Sequence, residues 1–173
     1  RWSHALGQYA DSPQFLEETG HWKQVEISDV PHIKRDFDNE TGWVKDQAIH
    51  TVQLTPEETD MLLTKVNKAF GTEINDILIA AFSMAVRETF GNEKMFIVLE
   101  GHGREEFLKD IDISRTVGWF TSVYPVLLDV SHSSDLARQI KEIKESLHNA
   151  PHKGVGYGIL EYITRQDLKK ELE

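Results

Sequence analysis

The chain has 173 residues, 39% hydrophobic and 28% charged, with 19 Lys plus Arg against 29 Asp plus Glu, a formal net charge of −10. That composition is ordinary for a globular domain, and the acidic excess argues against a nucleic-acid partner and against docking on an anionic membrane surface. Cysteine is absent, which removes disulfides, thiolate catalysis and Cys-type zinc sites and suits a reducing cytosol, so a cytoplasmic location is expected.

The opening RWSHALGQYA carries neither an initiator Met nor a signal-peptide pattern and reads as the start of an excised piece. No apolar run approaches the roughly 18 residues of a membrane span. Trp2, Leu6, Tyr9, Phe15, Leu16 and Trp22 mark an amphipathic helix that Pro13 splits in two. Residues 28–47 are polar and turn-rich, a long connecting segment. Ala48–Leu54 alternates, with Ile49, Val52 and Leu54 apolar, and predicts a short strand.

The next helix is the best marked. Thr55 is an N-cap, Pro56 takes the first helical position, and Glu58 closes a capping box. Met61, Leu62, Val66, Ala69 and Phe70 form its expected buried stripe, and Gly71 ends it. Asn75 is expected to cap a second helix that ends at Gly91, whose first two turns are apolar all round and predict burial at the centre of the fold. The run MFIVL at 95–99 predicts a strand covered on both faces. Residues 121–130 form a second strand, which Pro125 demotes towards an edge or a bulge. A helix over Asp135–His148 places Leu136, Ile140, Ile143 and Leu147 on one face. Gly154–Gly158 reads as a flexible turn and Ile159–Thr164 as helical. Helices alternating with buried strands predict a layered α/β fold.

Two stretches carry candidate chemistry. Glu100-Gly101-His102-Gly103-Arg104-Glu105-Glu106 follows the first strand directly. Its glycines allow a sharp turn or a close approach to a ligand, and a carboxylate leaving an apolar strand is expected to be partly desolvated and suited to proton transfer. The alternative is a solvated turn closed by an Arg–Glu ion pair. The second stretch runs from Arg115 through Trp119 and Phe120 to Tyr124, aromatics that wall a tunnel or simply fill core. Gly154, Gly156 and Gly158 form a GxGxG without the strand or acidic partner of a dinucleotide site. His148 and His152 are separated by Pro151 and make a poor metal pair; the other histidines read as isolated and exposed, and no metal site is expected. Ser122 lacks the GxSxG elbow of a serine nucleophile.

EGHGREE at 100–106, SRTVGWFTSVYPV at 114–126 and PHKGVGYGILEY at 151–162 closely resemble three consecutive motifs of nonribosomal peptide synthetase epimerization domains, and NDILIAAF at 75–82 resembles the helix motif before them. The resemblance implies an α/β fold: the C-terminal lobe of a two-lobed, chloramphenicol acetyltransferase-like domain, with helices packed on a mixed β-sheet, incomplete. Residues 1–54 are then the tail of the N-terminal lobe with the connecting segment, and 55–173 the C-terminal lobe, truncated at its end. The implied reaction is inversion of an aminoacyl or peptidyl thioester at Cα, presented on the 4'-phosphopantetheine of a peptidyl carrier protein, with no cofactor bound directly. Glu100 matches the catalytic carboxylate, with Glu105 as its competitor. His102, Arg104, Glu105, Arg115, Trp119 and Tyr124 are expected to line the tunnel or support its loops, Arg104 through an ion pair. The HHxxxDG histidine belongs to an N-terminal lobe that has no match here, so the isolated chain is expected to be inactive. A condensation domain and a non-catalytic carrier-docking module are the competing readings.

Overall fold

A computed structural model describes residues 1–26, 28–36, 43–108, 111–132 and 134–164. The chain divides into two compact units, one of Arg1–Val30, Lys94–Leu128 and Glu145–Glu173, the other of Pro31–Glu93 and Asp129–Lys144.

The first unit is built on α1 (Trp2–Ala10) and α2 (Pro13–Glu26). Pro13 separates them as expected. It opens α2 rather than kinking a longer helix, and the Ser12 hydroxyl accepts the Phe15 N–H at 3.2 Å to cap the new turn. Both helices pack against α7 (Val155–Tyr162). Phe15, Trp22 and Leu160 are fully buried, each contributing about 1.5–3 kcal/mol. Inside this apolar cluster Glu18 is also buried. Its carboxylate accepts from the Tyr9 hydroxyl at 2.8 Å and the Trp22 indole N–H at 3.1 Å, and lies 4.0 Å from His152 Nε2. Burial, then the bond to Glu18, pushes the Tyr9 hydroxyl above its ordinary pKa.

The sheet has two strands, β1 (Lys94–Gly101) and β2 (Ser122–Asp129). Val130 N donates to Glu93 O at one end, and Gly101 lies against Ser122 at the other, so the pair is antiparallel. This register turns the position of Pro125 away from β1, where its missing N–H interrupts no ladder bond. Alternation sorts the faces. Met95, Tyr124, Val126 and Leu128 are buried, whereas Phe96, Val98 and Val123 on the other face are exposed. The described sheet is therefore antiparallel, not mixed, and MFIVL is covered on one face only.

In the second unit, α3 (Pro56–Met61) begins with the expected capping box and runs through a π-helical stretch (Leu62–Val66) into α4 (Asn67–Phe70), which Gly71 ends at φ 60°. None of the expected stripe is buried; Met61 is 45% exposed. Ala48–Leu54 forms no strand; among the described residues no strand lies beside it, and Ile49 and Val52 are exposed. The connecting segment before it falls partly outside the described residues. α5 (Ile74–Phe90) is capped by Glu73 and Asp76, two residues before the expected Asn75, and ends at Gly91. It buries one face, Asp76, Ala80, Ser83 and Val86, and leaves Leu78 and Phe82 about half exposed. The Arg87 guanidinium donates to Val130 O at 2.9 Å. α6 (Leu136–His148) starts at Asp135, whose carboxylate accepts the Arg138 N–H at 2.8 Å, and it buries Ile140 and Ile143; it crosses from this unit into the first. Among the described residues, no single helix is long and apolar enough to cross a membrane.

Candidate functional site

The site is assembled from the two loops that join β1 to β2. A β-strand ending in Glu-Gly-His-Gly can turn tightly, and Gly103 does so at φ 66°. A Cβ there would stand 1.5 Å from the Phe120 carbonyl oxygen, so the glycine lets one loop lie directly on the backbone of the other. Gly101 is crowded too: a Cβ there would meet the Ser122 side-chain Oγ at 2.6 Å and the Lys153 carbonyl oxygen at 3.0 Å.

Arg104 ties the loops together. Its guanidinium donates to Ile113 O at 2.8 Å and to Gly118 O at 3.2 Å, and it lies 4.1 Å over the Phe120 ring. The expected ion pair is thus replaced by two backbone carbonyls and a ring face, a geometry suited to the planar guanidinium fork. His102 turns back on its own loop: Nδ1 accepts the Arg104 N–H at 2.9 Å, leaving Nε2 at ion-pair distance, 3.3 Å, from Glu105. Tyr124 is buried below; burial and then the charge of Glu105 push its hydroxyl above the ordinary tyrosine range.

Glu100 stands apart from this cluster. It is the penultimate residue of β1 and lies on the uncovered face with Phe96 and Val98. Among the described residues its carboxylate has no hydrogen-bond or ion-pair partner, and the burial expected of it is not supplied by them. Arg115 is exposed, and Trp119 is 91% exposed, so the described residues do not cover that ring. Trp119 instead rims an open cleft of about 490 Å³ with His102, Arg104, Val117, Gly118 and Phe120. The loops thus bring His102, Arg104, Glu105 and Tyr124 together, and leave Glu100, Arg115 and Trp119 facing solvent.

The third motif, at 151–162, stands out in the sequence but folds differently from the expectation. The motif at 151–162 is not a flexible turn before a late helix. Pro151–Gly154 is a short 3₁₀ turn, and α7 starts at Val155. His152 and Lys153 both hold positive φ, 46° and 45°, and Gly154 follows at 79°. A Cβ on Gly154 would collide with the Tyr124 ring, and one on Gly156 with Glu18, so two of the three glycines serve helix-to-sheet and helix-to-helix packing. His152 stacks on Phe107 at 4.3 Å. Of the histidines expected to be exposed, His21 is half-buried against Trp22, and burial pushes its pKa down. Tyr9, Phe107 and His152 form a cluster that only the tertiary fold brings together, so no local sequence pattern announces it.

The chain is similar to surfactin synthase subunit 1 of Bacillus subtilis (strain 168), 46% identical over 169 residues, which cover 96% of this chain and 5% of that protein. It also resembles the crystal structure of the epimerization domain from the third module of tyrocidine synthetase B, with 38% identity and a TM-score of 0.86 over 99% of this chain and 38% of that one. A condensation domain of the calcium-dependent antibiotic synthetase shares the fold at 18% identity and a TM-score of 0.63, over 97% of this chain and 34% of that one. The chain thus spans a small part of its curated relative and about a third of either solved domain. The condensation-domain family model matches residues 1–173, and the chain belongs to that family, as a partial domain with an α/β fold.

Proposed function

We propose that this chain is the C-terminal lobe, from about Thr55 onward, of a cytoplasmic peptide-synthetase epimerization domain, and that Glu100 exchanges the Cα proton of a carrier-bound aminoacyl or peptidyl thioester. The observation that carries this reading is the position of Glu100: a carboxylate at the open end of β1, without a partner among the described residues, beside loops held by Arg104. A general base must first be within reach of the proton it abstracts, and a carboxylate engaged by the fold would not be. The stronger likeness to an epimerization domain than to a condensation domain supports the same choice.

In this mechanism the thioester carbonyl acidifies the Cα–H. The Cα–H bond breaks, the proton passes to the Glu100 carboxylate, and the electron pair moves into an enolate-like thioester. A proton returned to the opposite face then gives the inverted centre, and the donor for that face belongs to the N-terminal lobe. The substrate itself is carried on phosphopantetheine, so the carrier protein is the partner and no further cofactor is required. Trp119 and His102, on the rim of the open cleft, are placed to meet the arm or the acyl group. Glu105, at ion-pair distance from His102, supports the loop rather than the reaction.

The test is the D/L ratio of a carrier-bound aminoacyl thioester in the intact synthetase. Glu100→Gln is nearly isosteric and cannot take the proton, and is expected to slow inversion by about 10²–10⁴-fold with the melting temperature unchanged. Near-normal inversion by Glu100→Gln together with loss in Glu105→Gln would transfer the role to Glu105. A synthetase that elongates normally while its thioester stays L would assign peptide-bond formation instead.

A further inference from the structure

We infer that Ser122 is a positioning residue for Glu100, an inference that rests on the epimerization reading and specifies how that carboxylate is held. Because the Glu100 side chain has no partner among the described residues, its aim depends on the backbone at the end of β1. The residue after it, Gly101, is wedged there. A Cβ would lie 2.6 Å from Ser122 Oγ and 3.0 Å from the Lys153 carbonyl oxygen, so three segments of chain meet one residue past the carboxylate.

Ser122 holds this junction. It is buried, and its hydroxyl donates to Lys153 O at 2.7 Å, across 31 residues of sequence. The turn that presents this carbonyl is strained: His152 and Lys153 stand in the left-handed region at φ 46° and 45°, where a residue with a Cβ is disfavoured. Such a conformation persists only when its surroundings over-determine it. Three contacts do so, namely the Ser122 bond, the seating of Gly154 on Tyr124, and the stacking of His152 on Phe107 at 4.3 Å. Only the Ser122 bond lies directly against Gly101. Without the hydroxyl, the 152–154 turn can relax towards ordinary φ and the junction under Glu100 loosens. Ser122 itself is buried and reaches the substrate only through this junction.

The experiment uses the intact, carrier-loaded synthetase carrying Ser122→Ala, Glu100→Gln and both together. A displacement of reacting groups by about 1 Å can lose about 10²-fold in rate, so the partial loosening in Ser122→Ala is expected to lower kcat for inversion about tenfold with KM unchanged. In the Glu100→Gln background the same substitution is expected to cause no further loss, because the group it positions is already disabled. Lys153→Gly keeps the carbonyl and removes the strain, and is expected to leave kcat unchanged. Should Ser122→Ala not fold, Ser122→Cys, slightly larger and a weaker donor, is read in the same way. A lowered melting temperature with unchanged kcat per folded enzyme, or losses that multiply in the double variant, would reduce Ser122 to a structural hydroxyl and overturn the inference. A loss in Lys153→Gly with normal Ser122→Ala would do so too, giving the role to the Lys153 side chain. Full activity in Glu100→Gln alone would instead remove the epimerization assignment of Glu100, independently of Ser122.

Discussion

The two loops between β1 and β2 meet each other but are built in opposite ways. In the first, 101–107, nearly every residue is engaged: Gly101 and Gly103 lie on backbone, Arg104 grips two carbonyls, and Phe107 packs edge-on to Trp2 and Tyr9 and face-on to His152. In the second, 113–120, the backbone is held at Ile113 and Gly118 and the Phe120 ring lies under Arg104, while the side chains of Val117 and Trp119 are 100% and 91% exposed. The first loop anchors and the second reaches. An apolar tip held at its base is a form suited to meeting a partner group, and its rigidity depends on residues in the other loop.

Gly103→Ala is the strongest way to break this arrangement. Its Cβ would stand 1.5 Å from the Phe120 carbonyl oxygen at a φ of 66°, so the loops must separate, at an expected cost of about 2–4 kcal/mol. Thermal melting together with proteolysis of the 113–120 segment checks it; an unchanged melt would show that the loops do not depend on that contact. Arg104→Lys is expected to cost less, about 1–2 kcal/mol, since an ammonium cannot span Ile113 O and Gly118 O while stacking on Phe120. Faster cleavage at the tip with little change in the first loop is the expected signature.

Tyr9→Phe sharpens the comparison from below. It keeps the ring against Phe107 and removes only the hydroxyl bond to Glu18, so a loss of about 1 kcal/mol is expected. The pH dependence follows from the raised pKa of Tyr9. Stability from a group that holds its proton more tightly when folded is fully present below the unfolded value and is lost as pH rises towards the folded one. Denaturant titrations should therefore show wild-type stability falling from about pH 10 upward, and Tyr9→Phe should show a shallower fall. Equal slopes would detach the hydroxyl from Glu18. The smallest effect on stability is expected for Trp119→Ala, within about 0.5 kcal/mol because the ring is exposed. On the proposed function the same variant slows inversion, and unchanged turnover would leave the tip without a part in the reaction.

Most helix starts and stops were legible in the sequence itself, the cap of α5 and the start of α7 excepted. Thr55, Pro56 and Glu58 begin α3, Gly71 and Gly91 end their helices, Pro13 opens α2, and Asp135 caps α6, because each of these devices finds its partner within about four residues. The motif residues were legible too, as residue types in order. Burial was not: the apolar stripe of α3 and α4, the all-round apolar start of α5 and the run MFIVL all predict more cover than these residues have. An apolar pattern states that a face can be covered, whereas the cover itself comes from segments far away in the chain. For the same reason Ala48–Leu54 has the alternation of a strand and no strand to pair with. The glycines of the motifs read as turn or ligand-approach positions, and only the backbones of Phe120 and Lys153, the ring of Tyr124 and the carboxylate of Glu18 show them closely packed. Ser122 lies inside the second motif, but no local pattern marked a role for it. What made it a candidate is a carbonyl 31 residues away, held at positive φ, a relation that exists only once β2 and the turn before α7 have come together.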